Sequence, residues 1–198
     1  MDRMKTISST VLLDSELLSA EEAYLLRFQL EKQPRLTASE ILALDLPAKN
    51  RVEALLQREF LADKPLRALA CDFAEHTLYI FEEYARGNRH PHQCVEAARR
   101  YIEGASIEEL QRAITEAIPA VWRLEKTAFV GAFTAGMAVL FLDYQDAAVM
   151  ARLVANHTQR AIHYREWERR ESNIELMFGR ELGATWQLTR IVEILDRS

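Results

Sequence analysis

Helix-initiation signals recur along this sequence, and they constrain the fold more than any other feature. A Ser or Thr followed three positions later by an acid can cap a helix, because each side chain satisfies a backbone amide of the first turn. The pattern occurs in residues 19–22, 37–40 and 106–109. The chain has only 6 Gly and 5 Pro, too few for the many tight turns of an all-β fold. The sequence therefore predicts an all-α protein.

These signals and the apolar periodicity divide the chain into eight or nine predicted helices, and no convincing strand pair is visible. With 198 residues and short connections, we expect one compact helical domain over 1–198 without a sheet. Its motif-bearing part covers about 36–110 and its Ala-rich, apolar helical part about 106–198. The predicted helices span residues 19–32, 37–45, 48–61, 64–86, 91–103, 106–126, 127–142, 146–178 and 184–196.

Several residues indicate where individual helices begin and end. Gly87, Gly104 and Gly183 each follow a periodic segment, as helix-terminating glycines do. Asp63 lies two residues before a proline and is expected to cap a helix. Pro119 is expected to kink or end the helix that contains it, because proline lacks the amide hydrogen that a helix interior needs.

The net charge and the cysteine content make two classes of protein unfavourable interpretations, a non-specific nucleic-acid-binding protein and a disulfide-bonded scaffold. The formal net charge of −5 disfavours non-specific binding to nucleic acid, which needs phosphates neutralised by Lys and Arg. Two cysteines, Cys71 and Cys94, do not make a disulfide scaffold and are typical of a reduced, cytoplasmic protein. The first residues show no signal peptide, so a cytoplasmic location is expected.

The longest apolar run covers residues 128–142. A membrane-spanning helix needs roughly 20 residues, so a buried core helix is the better interpretation. Its small residues lie at helical spacing and would let another helix approach closely. The alternative is that this ridge forms a homodimer interface. The residues concerned are Ala128, Ala132, Ala135 and Gly136.

A group of potential metal ligands lies within a short stretch: Cys71, His76, His90, His92 and Cys94. Thiolate and imidazole are the ligands that zinc prefers. Cys71 and His76, however, are predicted to point about 140° apart on one helix, and Cys94 falls on an apolar face. His90 and His92 remain as weak candidates in a turn. We therefore expect no metal and no cofactor.

Charged residues on the predicted helix 64–86 suggest a binding face. Asp72, Glu75 and Glu82 share one side of this helix, whereas large apolar residues lie opposite. A charged face of this kind steers association with an oppositely charged partner. The predicted partner-binding residues are exposed and charged: Asp72, Glu75, Glu82, Glu83 and Arg99. No catalytic residue is assigned, and a protein partner is expected.

An alternative function uses the segment 36–56. It is predicted to form a short helix, a turn at residues 45–47 and a second helix with Lys49, Asn50 and Arg51 near its start, a layout similar to a recognition helix in a DNA-binding protein. The turn lacks glycine and the remaining chain is not basic, so a DNA-associated regulator is the second hypothesis.

Five short elements lie in order between about Leu36 and Leu110, at residues 45–47, 59–61, 66–76, 81–82 and 95–101. Their order and spacing resemble a group of largely uncharacterised bacterial and phage-associated helical proteins, some of them described as immunity proteins. The resemblance implies an all-α fold without established catalytic chemistry. The chain departs from the group at residues 87–92, which read Gly-Asn-Arg-His-Pro-His. At this place the group commonly carries an Asp-rich turn followed by Arg-Pro-Arg. The sequence thus favours a non-enzymatic interaction protein. The resemblance implies a more specific hypothesis, in which the chain is an immunity protein that masks a partner toxin.

Overall fold

A computed structural model describes residues 5–10, 27, 30, 33–125, 129–169 and 178–197, and these contain eight helices and one small sheet. The all-α class is therefore confirmed. The strands are β1 (Thr6–Ser8) and β2 (Arg35–Thr37). The helices are α1 (Ala38–Ala43), α2 (Ala48–Leu55), α3 (Asp63–Tyr84), α4 (His90–Ile102), α5 (Ile107–Glu125), α6 (Val130–Leu140), α7 (Ala147–Arg169) and α8 (Phe178–Leu195).

The small sheet corrects the expectation that no strands pair. β1 and β2 are antiparallel, and Ile7 lies opposite Leu36 with both side chains buried. Strands of only three residues are too short to show the alternation of apolar and polar residues from which a strand is recognised. The Arg35 guanidinium also donates to the Thr6 carbonyl across the pair, at 2.8 Å.

Helix α3 lies at the centre of the fold and packs against α4, α6 and α7. Leu66, Leu69, Phe73, Ile80 and Phe81 are fully buried along it. Leu66, Leu69, Phe73 and Ile80 are separated by three, four and seven residues, so they share one side of the helix, as an amphipathic helix requires, and Phe81 extends this side. The opposite side of α3 carries the acidic residues that the sequence singles out.

Helix α6 is the core helix predicted from the apolar run. Ala132, Ala135 and Gly136 are buried inside the chain, so this ridge cannot also serve as the proposed homodimer interface; Ala128 lies outside the described residues. The helix contacts both α3 and α7. None of the described helices is both long and apolar enough to cross a bilayer.

Three of the predicted helix boundaries are confirmed. The Thr37 hydroxyl accepts a hydrogen bond from the Glu40 amide at 3.2 Å, and the Glu40 carboxylate accepts from the Thr37 amide at 2.7 Å. This reciprocal pair caps α1. Gly87 and Gly104 follow α3 and α4 with φ angles of +78° and +109°, a conformation that side chains with a Cβ rarely adopt.

Two other boundary predictions, for Gly183 and Asp63, are wrong, and of the two outcomes predicted for Pro119 the structure contradicts the end of the helix. Gly183 lies inside α8, Pro119 lies inside α5 without ending it, and Asp63 is the first helical residue of α3 while Ala62 occupies the cap. In the case of Gly183, tertiary packing explains the difference: an added Cβ would lie 3.0 Å from the Ile162 side chain. Most of the predicted helix 19–32, and residues 170–177 of the predicted helix 146–178, lie outside the described residues.

Helix α7 carries a histidine whose environment makes folding pH-dependent. The ring of His157 stacks on Phe141 with centroids 4.9 Å apart. Burial, reinforced by the nearby Arg160 guanidinium, lowers the pKa of His157 from 6.5 to about 4. The unfolded chain therefore binds a proton at a higher pH than the folded chain does, and acidification favours unfolding.

We expect the contribution of His157 to stability to be complete above pH 6.5 and to disappear as the pH falls towards 4. The loss is about 1 to 2 kcal/mol in total, because the side chain is only partly buried and solvent reduces the effect. Urea unfolding at pH 7.0, 5.5 and 4.5 should show a flatter pH dependence for His157→Gln than for the wild type. The pKa of His76 is also lowered by burial, so only the difference between the two proteins reports on His157. An equal dependence of the free energy of unfolding on pH in the wild type and in His157→Gln would contradict the prediction.

Candidate functional site

Asp72 connects three helices through its carboxylate. Its Oδ1 lies 2.9 Å from Nη2 of Arg99 on α4, and its Oδ2 lies 2.6 Å from Nη2 of Arg190 on α8. Only 15 % of the Asp72 side chain is exposed. The hydrogen bond to Asp72 raises the pKa of Arg190. The Asp72 carboxylate therefore links the guanidinium groups of Arg99 and Arg190 inside the fold. The expectation that Asp72 is exposed is wrong.

The neighbouring acids on α3 are paired in a similar way. Glu75 accepts from the same Arg99 at 2.7 Å, and Glu82 lies 2.7 Å from Nε2 of His92. Glu83 forms a bidentate pair with Arg165 of α7, with distances of 2.6 and 3.2 Å. The predicted partner-binding acids thus attach α3 to α4, α7 and α8. Their charges are largely used within the chain.

The five potential metal ligands do not come together. Cys71 and Cys94 are buried, and burial raises the pKa of each thiol to about 12. The inward orientation of Cys94 is confirmed, since its thiol donates to the Ala113 carbonyl at 3.2 Å. The His76 ring stacks on Trp186 at a centroid distance of 3.7 Å. No group of three or more His, Cys, Asp and Glu residues suited to a metal ion occurs in the described part of the chain.

The segment proposed for DNA recognition faces inward. Asn50 on α2 is buried, and the Arg51 guanidinium donates to the Leu42 carbonyl at 3.0 Å. The backbone amide of Ala48, at the start of α2, donates to Glu181 of α8 at 2.6 Å. Two of the three residues near the start of the proposed recognition helix, Asn50 and Arg51, are therefore engaged inside the chain, and this geometry does not favour the second hypothesis.

A basic cleft lies where the turn between α3 and α4 meets α5. Its volume is about 670 Å³. Three arginines line it, and none of its lining residues is acidic, although the chain as a whole has a net charge of −5. We call it the arginine cleft. The lining residues are Tyr84, Ala85, Arg86, Gly87, Asn88, Arg89, His90, Gln93, Ala120, Arg123 and Leu124.

The turn that forms one wall of the arginine cleft is held by local hydrogen bonds. The Asn88 amide donates to the Ala85 carbonyl at 3.0 Å, and the Asn88 side chain accepts from the His90 amide at 3.1 Å. Gly87 supplies the positive φ angle that reverses the chain. Arg86 and Arg89 are thus carried on an ordered turn, and Arg123 approaches from α5.

An exposed apolar surface lies on the outer side of α5 and α6. Ile118 and Trp122 are one turn apart on α5 and are 38 % and 44 % exposed. The Trp122 ring lies 5.8 Å from the ring of Phe133 on α6. We call Ile118, Trp122 and Phe133 the aromatic edge.

Sequence reasoning missed both of these features. The arginines of the cleft come from two separate parts of the chain, and only the Gly87-Asn88 turn gave a local signal. Trp122 lies at the border of the apolar face of α5, where periodicity alone does not distinguish buried from exposed positions.

No protein-family model, curated protein or solved structure matches this chain. We therefore infer function from the geometry of the arginine cleft, the aromatic edge and the ion pairs of α3.

Proposed function

We propose that this chain is an interaction protein that binds a protein partner through the aromatic edge. The observation that carries the proposal is the exposure of Trp122 beside Phe133 and Ile118. Tryptophan is among the residues that contribute most binding energy at protein interfaces. Contiguous apolar surface left in water is uncommon in a folded chain and often marks an interaction site.

The shape of the aromatic edge favours a protein over a small molecule. Small ligands bind mainly in concave pockets, whereas Ile118 and Trp122 lie on the outer side of a helix. A partner that presents its own apolar side chains would cover them. In the specific form that the sequence resemblance implies, the partner is a toxin and binding masks it.

The acidic residues of α3 have a smaller part in this proposal. Asp72 and Glu83 are engaged with arginines of other helices. Glu75 and Glu82 keep about half of their side-chain surface exposed, so they can influence the rate of association through long-range attraction. Arg99 is held between Asp72 and Glu75 and is better explained as a structural residue.

Trp122→Ala is expected to weaken partner binding at least tenfold, because truncation removes the central apolar anchor. The matched control is Trp167→Ala, which alters a tryptophan that is 50 % exposed on α7. Wild-type protein and both variants would be used in parallel as bait in extracts of the cells that express the chain. Any protein captured would then be purified and its affinity for each bait measured by calorimetry.

The proposal requires a partner that the wild type and Trp167→Ala retain and that Trp122→Ala loses. Retention by all three baits would contradict the assignment of the aromatic edge. For the toxin-masking form, co-expression of the wild type should relieve the toxicity of the partner, and co-expression of Trp122→Ala should not.

A further inference from the structure

We propose that the arginine cleft is a binding site for a small organic oxyanion, a molecule that carries phosphate or carboxylate groups. This inference is independent of the proposed protein interaction, because it concerns a cleft formed by the α3–α4 turn and α5 rather than the aromatic edge. It depends on the charge of the lining residues, on the positions of their partners and on the size of the cavity.

The arginine cleft is positively charged. Arg86, Arg89 and Arg123 line the same cavity without an acidic residue in its wall. Holding three positive charges around one cavity is unfavourable unless an anion or solvent compensates them. A guanidinium group presents a planar set of donors that matches the paired oxygens of phosphate and carboxylate.

The partners of these arginines leave their donors available. Among the described residues, the ion pairs of the cleft arginines comprise one contact, between Arg89 and Glu96 at 3.9 Å, and both side chains are more than half exposed. Such a contact is weak. Arg86 and Arg123 make no ion pair within 4.0 Å in the described ranges. This contrasts with Arg99, Arg165 and Arg190, each of which contacts carboxylates of its own chain.

The walls of the cleft add two further features. His90 begins α4 and lines the cleft, and its Nδ1 atom is buried without a hydrogen-bond partner among the described residues. The positive end of the α4 dipole also lies at this wall and increases the attraction for an anion.

The size and the remaining lining residues define the class of ligand. A volume of about 670 Å³ is in the range of small-molecule sites, roughly 300 to 1,000 Å³. It is much larger than a bare inorganic ion needs. Tyr84, Ala120 and Leu124 add apolar surface to the wall. The geometry therefore fits an oxyanion group attached to an organic body.

The test uses the full, tag-free chain and two probes, inorganic pyrophosphate and citrate, at constant ionic strength. Binding would be followed by amide chemical shifts in ¹H–¹⁵N NMR spectra. At least one probe should give saturable shifts at Gly87, Asn88 and Gln93. Tighter binding of pyrophosphate assigns a phosphate-bearing ligand, and tighter binding of citrate assigns a carboxylate-bearing one; both results support the site.

Arg86→Gln is expected to weaken binding of the preferred probe at least tenfold, equivalent to about 1.4 kcal/mol. Arg123→Gln is a second variant with the same expectation. Arg112→Gln is the matched control, since Arg112 is an exposed arginine on α5 that does not line the cleft. Thermal unfolding would verify that each variant folds.

Two results would overturn the proposal. The first is the absence of saturable shifts with either probe. The second is an equal loss of affinity for Arg86→Gln and Arg112→Gln, which would indicate general attraction to positive charge. Trp122→Ala should keep full affinity for the probe, so the outcome here is separate from that of the protein-binding experiment.

Discussion

Gly131→Ala is expected to lower the free energy of unfolding by about 2 kcal/mol. An alanine Cβ at this position of α6 would lie 2.8 Å from the backbone nitrogen of Arg165 and 3.2 Å from the carbonyl oxygen of Ala161, both on α7. Backbone atoms inside a helix cannot move independently, so the two helices would have to separate. This cost exceeds the roughly 1 kcal/mol that alanine normally contributes in a helix over glycine.

The matched control is Gly183→Ala in α8. There the added Cβ would lie 3.0 Å from the end of the Ile162 side chain, a flexible group that can rotate away. We expect its free energy of unfolding to change by less than about 1 kcal/mol, because helix propensity and local crowding offset each other. Urea unfolding monitored by circular dichroism measures both variants. Equal effects at the two positions would show that the approach of α6 to α7 is not as close as the structure places it.

Gly183, compared with the other helix-boundary residues, shows how far local sequence predicts the fold. The predictions for Thr37, Gly87 and Gly104 are correct because caps and helix-ending glycines act on neighbouring residues. The prediction for Gly183 is wrong because its role depends on Ile162 of another helix. Periodicity correctly placed Cys94 on the inner side of α4, since the period of a helix determines which residues share a face.

The ion pairs of α3 show which part of the candidate site could not be predicted from the sequence. The sequence identified the acidic side of the helix, and the spacing of Asp72 and Glu75 was sufficient for that. It could not identify Arg190, which is 118 residues away from Asp72, or Arg165, which is 82 residues away from Glu83. When these partners are unknown, the sequence does not distinguish acidic residues that are paired within the chain from acidic residues that face solvent. The arginine cleft was missed for the same reason, because Arg123 meets Arg86 only in the folded chain.

Asp72→Ala is expected to lower the free energy of unfolding by about 2 to 3 kcal/mol. The substitution removes one carboxylate that accepts from both Arg99 and Arg190, and each charge-assisted hydrogen bond normally contributes about 1.5 to 3 kcal/mol. Arg99 keeps Glu75 and Arg190 keeps Glu193 as partners, and both guanidiniums reach solvent. The expected loss is therefore smaller than the sum of two such bonds.

Glu109→Ala provides the control, because Glu109 pairs with Arg100 while both side chains are about half exposed. Exposed pairs contribute about 0 to 1 kcal/mol, so this variant should unfold close to the wild type. A double-mutant cycle with Asp72→Ala and Arg190→Ala then isolates the contact between α3 and α8. We expect a coupling energy of at least about 1 kcal/mol. Additive effects of the two substitutions would mean that Asp72 does not hold α8, and its carboxylate would again be a candidate for contact with a partner.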